Sequence, residues 1–464
     1  MDGLSSFIER WKWFLVGGLV AACVSGYLVA SQTTWLPAYL RLAAPPAPQA
    51  ATRDERWHQD VRYLASQLPR LHVDAFHTVG REEFERDVTA LDAAVPELSD
   101  IEIVLEILRI VATVGDAHTQ AVPPATMALR LVPLRLYWLA DGFYVVGATP
   151  EYQDLVGSRV VQIGDVPIRD VCDRVKPFVA HETESGFWIR SWLYLLSPNI
   201  LRQLSVLGDA RAGAYTFERP DGTRTTRELD TIGSDTYFSV VPDTLPANEP
   251  LYRRHADAFY WFEYLEAEGT VYLHYRKCQD MESLAFRDLV ADLFGFIDAH
   301  AVSRLVIDVR HNGGGDSEHV EPLFEELARR PFLDQEGHLF VIVGRGTYSS
   351  AVLNVVEFEH RTHAIFVGEA PSSVPDHYGQ VASFVLPNSR VRVDYSTKRF
   401  PMTKLASGEK LSLGDWLGVL GYSSARFPLD AAGTGSFEPD VPASPTITDY
   451  LTGRDPALEA ILGR

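Results

Sequence analysis

Apolar residues recur along the chain with a helical period first and a strand period later, and these changes divide it into regions. In residues 52–119 apolar side chains lie at i, i+3, i+4 and i+7, most clearly over residues 101–112, where Ser99 and Asp100 are N-cap candidates. This pattern predicts a small helical domain over residues 52–125. It ends in VGDAHT at residues 114–119, where a glycine and polar groups interrupt an apolar helix.

Residues 126–235 have the short alternating runs of a β-rich domain. The predicted elements are a hairpin over residues 131–148, a strand over 157–163, helices near 168–179 and 187–207, and a hairpin turning at 220–222. The stretch LVGSRVVQIGDVPIRDV, residues 155–171, resembles the ligand-loop strand and following turn of a PDZ-like domain. We therefore expect a PDZ-like middle domain.

Strands and helices alternate from about residue 250 to the end, which predicts an α/β layer fold with ligands at the carboxyl ends of its strands. The predicted strands are residues 271–275, 305–308, 340–343 and 364–367, with a later hairpin at 381–386 and 391–395 and a terminal helix at 456–462. Two strand ends carry unusual residues. One runs into Asn312 and three consecutive glycines, and the other into the paired serines Ser349 and Ser350.

The N-terminus carries an uncharged run of 18 residues, 13–30, behind Arg10 and Lys12. This length is about the minimum for a membrane span, so residues 1–31 are predicted to be a signal anchor or signal peptide. A Pro/Ala-rich tether over residues 32–51 follows. A cleaved signal ending at Ala30 and a lipoprotein signal ending at Cys23 remain alternatives. With an anchor, the charge rule puts the rest of the chain outside the cytoplasm, in the cell envelope.

The composition narrows the function further. The chain has 464 residues, 46% of them hydrophobic, which is enough for two or three domains with real cores. With a net charge of -20, the chain lacks the excess of basic residues that is typical of nucleic-acid-binding proteins. Three scattered cysteines form neither a disulfide framework nor a paired-cysteine zinc site. No metal and no organic cofactor is predicted.

Several motifs occur in a characteristic order: VGDAHT, LVIDVRHNGGG, TYSSA and IFVGEA, at residues 114–119, 305–315, 347–351 and 365–370, then FEPD and GRDP at 437–440 and 453–456. Together they resemble the tail-specific (C-terminal processing) serine peptidases, whose relatives include tricorn protease and interphotoreceptor retinoid-binding protein. The resemblance covers most of the chain beyond the tether. It implies a crotonase/ClpP-like ββα core in a catalytic domain over residues 250–464.

The resemblance implies that Ser349 is the nucleophile. A hydroxyl at a helix N-terminus lies in a positive backbone field that favours developing negative charge, although a serine in this position can also simply cap the helix. The unobstructed amides of Gly313 and Gly314, with that of Ser350, are the expected oxyanion hole. The alternative for the glycines is a tight turn that requires positive φ.

The expected base departs from the family pattern. Processing peptidases use a lysine about twenty-five residues after the serine, where this chain has Val374. The tricorn-like branch uses an upstream histidine, and His118 matches it, although Ala117 stands where tricorn has a serine. Asp116 is expected either to orient His118 or to cap the break. Glu369 is expected to be an accessory carboxylate and the third catalytic residue beside Ser349 and His118, although a glutamate at a strand end can also simply face solvent. His377 is a reserve candidate for the base.

The sequence thus predicts a membrane-anchored serine endopeptidase that acts on a peptide or protein substrate through an acyl-enzyme. A catalytically inactive peptide- or lipophile-binding protein on the same scaffold is the alternative, favoured by the missing lysine. An enoyl-hydratase-like lyase is a third reading, without any acyl-CoA signature to support it. The sequence does not determine the oligomeric state.

Overall fold

The computed structural model describes residues 51–124, 130–208, 213–244, 246, 248–402 and 437–463. None of the helices in these ranges has both the length and the apolar character needed to cross a bilayer. The predicted signal anchor and tether lie outside the described residues, so that segment stays a prediction.

Three helices open the described chain: α1 (Arg53–Leu71), α2 (Arg81–Ala94) and α3 (Asp100–Ala112), followed by the short strand β1 (Gln120–Val122). The predicted N-cap at Ser99 is confirmed. Its side chain accepts a hydrogen bond from the amide of Glu102, whose carboxylate bonds back to the Ser99 amide, which satisfies two helix-end donors together.

The middle region is an antiparallel sheet with helices against it. Its elements are β2 (Arg130–Leu131), β3 (Leu134–Leu139), β4 (Gly142–Ala148), β5 (Arg159–Ile163), β6 (Val166–Pro167), α4 (Ile168–Val175), α5 (Glu184–Leu195), α6 (Pro198–Gln203), β7 (Gly213–Glu218), β8 (Arg224–Leu229), β9 (Ile232–Gly233) and α7 (Ser234–Val240). The main sheet has the order β3-β4-β5-β7-β8, with β6 paired to β5. Both predicted hairpins, β3–β4 and β7–β8, are confirmed.

The third region is the predicted α/β layer fold. Its elements are β10 (Tyr260–Leu265), β11 (Thr270–Tyr275), α8 (Phe286–Ala299), β12 (Arg304–Asp308), α9 (Glu321–Ala328), β13 (Leu339–Val343), α10 (Ser350–Arg361), β14 (Ile365–Gly368), β15 (Asp376–Val385), β16 (Arg392–Pro401), β17 (Val441–Pro442), α11 (Ile447–Thr452) and α12 (Pro456–Leu462). The sheet order is β10-β11-β12-β13-β14-β17, and all pairs except β10–β11 are parallel. The carboxyl ends of β12 and β13 therefore meet at one edge.

The hairpin β15–β16 is longer than the sequence indicated, and it does not belong to this sheet. It pairs with β1 in a separate three-stranded sheet, in the order β1-β16-β15. Its apolar face, with Phe384, Leu386, Val391, Val393 and Tyr395, packs into the core of α1–α3. The helical region therefore completes its core with residues from the far part of the chain.

Arg310 links the start of the C-terminal helix α12 to the central sheet, on which the helix also packs Ala457, Leu458 and Ile461. Arg310, just after β12, bonds to the buried Asp308 through Nε and to both carboxylate oxygens of Asp455 through its two terminal nitrogens. Asp455 also caps α12 by accepting from the Leu458 amide. The GRDP motif thus holds the end of the chain against the loop that leads into the glycines.

Candidate active site

Ser349 lies on a sharp turn between β13 and α10, and its backbone is strained. Its φ is 56° and its ψ is -127°, a conformation that costs a non-glycine residue about 1–3 kcal/mol and that clusters at functional sites. Although Ser349 occupies the N-cap position, its side chain makes no capping hydrogen bond. The capping alternative is therefore not realised, and the hydroxyl is available for other chemistry.

The neighbouring Ser350 has a structural side chain. Its Oγ donates to the carbonyl oxygen of Gly315 at 2.7 Å, which joins α10 to the glycine loop. The turn is further fixed by Thr347, whose Oγ1 donates to the Val309 carbonyl and accepts from the Gly344 amide. The structure thus separates the two serines: Ser349 has the strained backbone, and Ser350 has the anchored side chain.

The glycine loop passes directly against Ser349. Gly314 and Gly315 have φ of 95° and 138°, in the region that side chains disfavour. A Cβ on Gly314 would lie 2.9 Å from the Ser349 Cβ, and one on Gly315 would lie 2.2 Å from the Cys278 carbonyl oxygen. Gly313 has open space instead. Gly314 and Gly315 therefore have two reasons to be glycine: neighbouring atoms leave no room for a Cβ, and their φ angles are unfavourable for a side chain.

The expected oxyanion donors are only partly available. The Gly314 amide donates to Asn312 Oδ1 at 2.9 Å, so this N–H is engaged within the loop, contrary to the expectation. Among the described residues, the amides of Gly313 and Ser350 have no such acceptor. These two N–H groups are the ones left for an oxyanion near Ser349.

His118 lies in a column of stacked side chains beside the turn that carries Ser349. Its ring stacks on Tyr348, the residue before Ser349, with centroids 4.4 Å apart, and on His377 from the other side at 5.5 Å. His377 in turn stacks on Phe400. The Arg190 guanidinium covers the outer face of Tyr348 at 4.7 Å. The structure thus brings His118 and His377 to the turn that carries Ser349.

No hydrogen bond joins His118 to Ser349. The His118 side chain is buried, and neither ring nitrogen has a hydrogen-bond partner among the described residues. Catalytic hydrogen bonds are often open in the absence of substrate and tighten in the complex. In this conformation no hydrogen bond is therefore present that could carry a proton from Ser349 to His118.

Burial determines the protonation of His118. Desolvation, followed by the positive charge of a protonated His377 and of Arg190, lowers the pKa of His118 to about 3 although Asp116 opposes the shift. The ring is consequently neutral near pH 7 and has a nitrogen lone pair for accepting a proton.

Asp116 positions the backbone of His118 and not its ring. Its Oδ1 accepts from the His118 amide at 2.9 Å and from Ser396 Oγ at 3.0 Å, and its Oδ2 lies 2.9 Å from His72 Nε2. Burial alone would raise the pKa of Asp116, but the hydrogen bond and charge of His72 outweigh it, and the pKa is lowered. The sequence gives no indication of a role for His72, because it is an isolated histidine in RLHVDAF and belongs to no motif.

Glu182 was also missed by the sequence analysis. It precedes α5 and accepts from the amides of Ala117 and Val374 and from Ser373 Oγ. Its carboxylate therefore links the turn that carries His118 to Ser373 and Val374. The only signal available in the sequence was a polar HETES stretch, which is typical of any helix start.

Glu369 does not join this group. It pairs with Arg345 at 2.7 Å, and burial raises its pKa despite that partner. Both line a separate cavity of about 840 Å³ between the middle region and the α/β sheet, with Tyr137, Tyr252 and Arg310. The ion pair orients the carboxylate toward Arg345, so the position gives Glu369 a structural partner and does not support the accessory role expected for it.

His377 is held in one orientation. Its Nδ1 lies 2.9 Å from the carbonyl oxygen of Val374, and this contact requires the proton on Nδ1 because a carbonyl only accepts. Its Nε2 then carries the lone pair when the ring is neutral. The backbone carbonyl of Val374 thus fixes the orientation of the His377 ring.

The chain is similar to solved structures, although no family model and no curated protein matches its sequence. Mature CPAF complexed with lactacystin superposes with a TM-score of 0.57 at 11% identity, covering 88% of this chain and 97% of that one. Mature CPAF alone gives 0.56 at 12% identity, covering 88% and 96%. The photosystem II D1 C-terminal processing protease gives 0.34 at 12% identity, covering 88% and 99%. The CPAF superpositions show that this chain has the same overall fold as CPAF.

Proposed function

We propose that this chain is a serine-type peptidase that cleaves peptide bonds through an acyl-enzyme on Ser349. The observation that carries the proposal is the strained backbone of Ser349 on a strand-to-helix turn, without a capping role for its hydroxyl. Nucleophilic serines of α/β hydrolases stand on such turns. Backbone strain of this kind persists only where the surrounding structure enforces it, and it is found most often at functional sites.

The proposed roles follow from the geometry. Ser349 Oγ attacks the scissile carbonyl, and His118, neutral in its buried position, takes the proton after a small movement closes the gap. The amides of Gly313 and Ser350 stabilise the tetrahedral oxyanion, an interaction typically worth about 3–4 kcal/mol per donor. These steps use only groups of this chain, and the predicted N-terminal anchor would place them on the extracytoplasmic side.

The direct test is covalent labelling with a fluorophosphonate probe. We expect wild type to be labelled stoichiometrically and Ser349→Ala to lose the label. Ser350→Ala is the matched control, because its hydroxyl binds the Gly315 carbonyl and its backbone amide survives the change. Equal labelling of wild type and Ser349→Ala would disprove the nucleophile, and mass spectrometry of the labelled peptide identifies the residue.

The second candidate is a binding protein without catalysis on the same scaffold. It is favoured by the unpartnered ring nitrogens of His118 and by Val374 in place of the family lysine. This candidate requires that folded wild type neither take up the fluorophosphonate nor cleave peptides. It also requires saturable binding of a peptide or lipophile, measured by fluorescence anisotropy. Labelling of Ser349 by the fluorophosphonate would be enough to exclude this second candidate.

A further inference from the structure

Three potential metal ligands converge beside the proposed nucleophile. One ligand atom each from Asp116, His118 and Glu182 lies within 4.8 Å of the other two. Asp116 and His118 come from the turn after α3, and Glu182 comes from the segment before α5, so two separate parts of the chain meet here. All three side chains are at least partly buried.

The histidine of this cluster is free to coordinate. His118 is only 6% exposed, and both of its ring nitrogens lack a partner among the described residues. A buried polar atom normally finds a hydrogen bond, because an unmade one costs about 1–3 kcal/mol. If the carboxylates served only to orient the ring, one of them would accept its N–H, and neither does.

Both carboxylates are held by several partners. Asp116 interacts with the His118 amide, Ser396 and His72, and with the Thr119 side chain. A carboxylate has about four acceptor positions, and Glu182 uses three of its own, toward Ala117, Ser373 and Val374. These outer hydrogen bonds hold the carboxylates in place, as the partners of ligating carboxylates do in metal sites.

The spacing suits a small metal ion after a slight contraction. Ligands about 2.0–2.2 Å from a tetrahedral Zn²⁺ stand roughly 3.4 Å apart, so side-chain rotations of about 1 Å would close the cluster. One imidazole with two carboxylates, leaving a fourth position for water, is a donor set that zinc accepts. Ca²⁺ is bound by oxygen ligands, so the imidazole would not contribute to its coordination.

We propose that Asp116, His118 and Glu182 form a Zn²⁺ site whose occupation switches off the peptidase. The inhibitory role rests on the proposed function, because zinc on the His118 ring nitrogen removes the lone pair that would accept the Ser349 proton. Zinc binding itself does not depend on activity. The site would make the enzyme responsive to free zinc outside the cytoplasm.

The test measures zinc binding and active-site reactivity separately on the whole chain. Zinc affinity and stoichiometry are measured by isothermal titration calorimetry for wild type, Glu182→Gln, His118→Gln and His363→Gln. His363 is the matched control, since it is an exposed histidine 3.4 Å from Asp334 and represents an adventitious surface site. Thermal unfolding in EDTA verifies that each variant is folded. If His118→Gln does not fold, the comparison of wild type with Glu182→Gln, which keeps the side-chain shape, decides whether the site exists.

The expected result is one zinc per wild-type chain and at least about a 10-fold weaker affinity in Glu182→Gln. Loss of outer partners alone costs metal sites about 10–100-fold. The affinity of His363→Gln should be unchanged. Equal affinity in wild type and Glu182→Gln, or no zinc bound above the His363-dependent level, would overturn the site.

The second measurement is fluorophosphonate labelling with and without zinc. Saturating zinc should slow labelling of wild type at least about 10-fold and have less effect on Glu182→Gln at the same concentration. Zinc bound at the site without any slowing of labelling would overturn the inhibitory role. If the protein takes no label even in EDTA, the proposed function fails, while the calorimetry still decides whether the zinc site exists.

Discussion

The backbone of Ser349 and the glycines beside it form one unit. The left-handed φ of Gly314 brings its Cα against the Ser349 side chain. The hydrogen bond from the Tyr348 amide to the Asn312 carbonyl holds the two loops together. The glycine loop therefore maintains the strained backbone of Ser349. A substitution in that loop should change the position of the Ser349 side chain.

The two glycines closest to the serine are expected to respond differently to alanine. Gly314→Ala places a methyl group 2.9 Å from the Ser349 Cβ at an unfavourable φ, so the turn must shift. A methyl group there would also lie 3.1 Å from the Ser350 amide nitrogen, which is one of the two proposed oxyanion donors. We therefore expect fluorophosphonate labelling to fall about 10²–10³-fold, as when such a donor is lost. Gly313→Ala meets nothing within 4 Å and should label like wild type. Wild-type labelling by Gly314→Ala would show that the loop does not hold the nucleophile.

The low pKa of His118 predicts an unusual pH dependence. A base with the ordinary histidine pKa of about 6.5 would lose about 10-fold in rate between pH 7.5 and 5.5 as it becomes protonated. With a pKa of about 3, His118 stays neutral over this range. The labelling rate of Ser349 should therefore change less than about 2-fold between these two pH values. A 10-fold fall, with circular dichroism unchanged, would mean that the base is a different group or is solvated.

Sequence patterns indicated Ser349 and the glycine loop, but not the side chains that surround them. Ser349 and the glycines follow strand ends, and the order of strands along the chain brings them to one sheet edge. His72 and Glu182 reach the site only through tertiary packing of separate regions, and no local periodicity records that. The sequence also could not indicate that Glu369 pairs with Arg345, because a strand-end glutamate looks the same in sequence whether it is catalytic or structural.

At the scale of elements, the hairpin β15–β16 joins the site to the helical region. His377 lies near the start of β15, within the stacked column, and the hairpin's other end packs against α1. There the carboxylate of Asp60, which is fully buried, accepts from the amides of Asn388 and Ser389 at 2.9 and 2.7 Å. The sequence predicted the hairpin but not its partner, because strand pairing over this distance leaves no local pattern.

Asp60→Asn tests this attachment. An amide group replaces one carboxylate oxygen, so one of the two hairpin amides loses its acceptor in a buried place. We expect a loss of about 1–3 kcal/mol in stability, measured by denaturant or thermal unfolding. Glu85→Gln on α2, where the carboxylate forms an exposed pair with Arg81, should change stability by less than about 0.5 kcal/mol. Equal effects of the two changes would argue against the attachment.

At the scale of the whole molecule, buried neutral histidines make the fold sensitive to acid. Burial lowers the pKa of His274 to about 4, and that of His118 to about 3. Both folded values lie below the unfolded value of about 6.5, so the unfolded chain binds more protons at mild acid pH. Stability is therefore full above about pH 6.5 and is lost as the pH falls toward the folded values.

The expected loss is up to about 2 kcal/mol per histidine at pH 5 relative to pH 7.5. The unfolding temperature should fall over this range in wild type and fall less in His274→Phe, while the exposed His363→Gln behaves like wild type. A pH-independent unfolding temperature between pH 7.5 and 5 would contradict the burial of these neutral rings.

The attachment of Asn388 to Asp60 spans 328 positions of sequence, and this separation bears on how the chain is made. During synthesis α1–α3 emerge first but lack the apolar face that β15–β16 supplies, so their core stays open until residues near 395 leave the ribosome. The turn that carries His118 follows α3 directly and becomes fixed only then. The turn with His118 and the hairpin that carries His377 can therefore come together only after the chain has been translated to about residue 395.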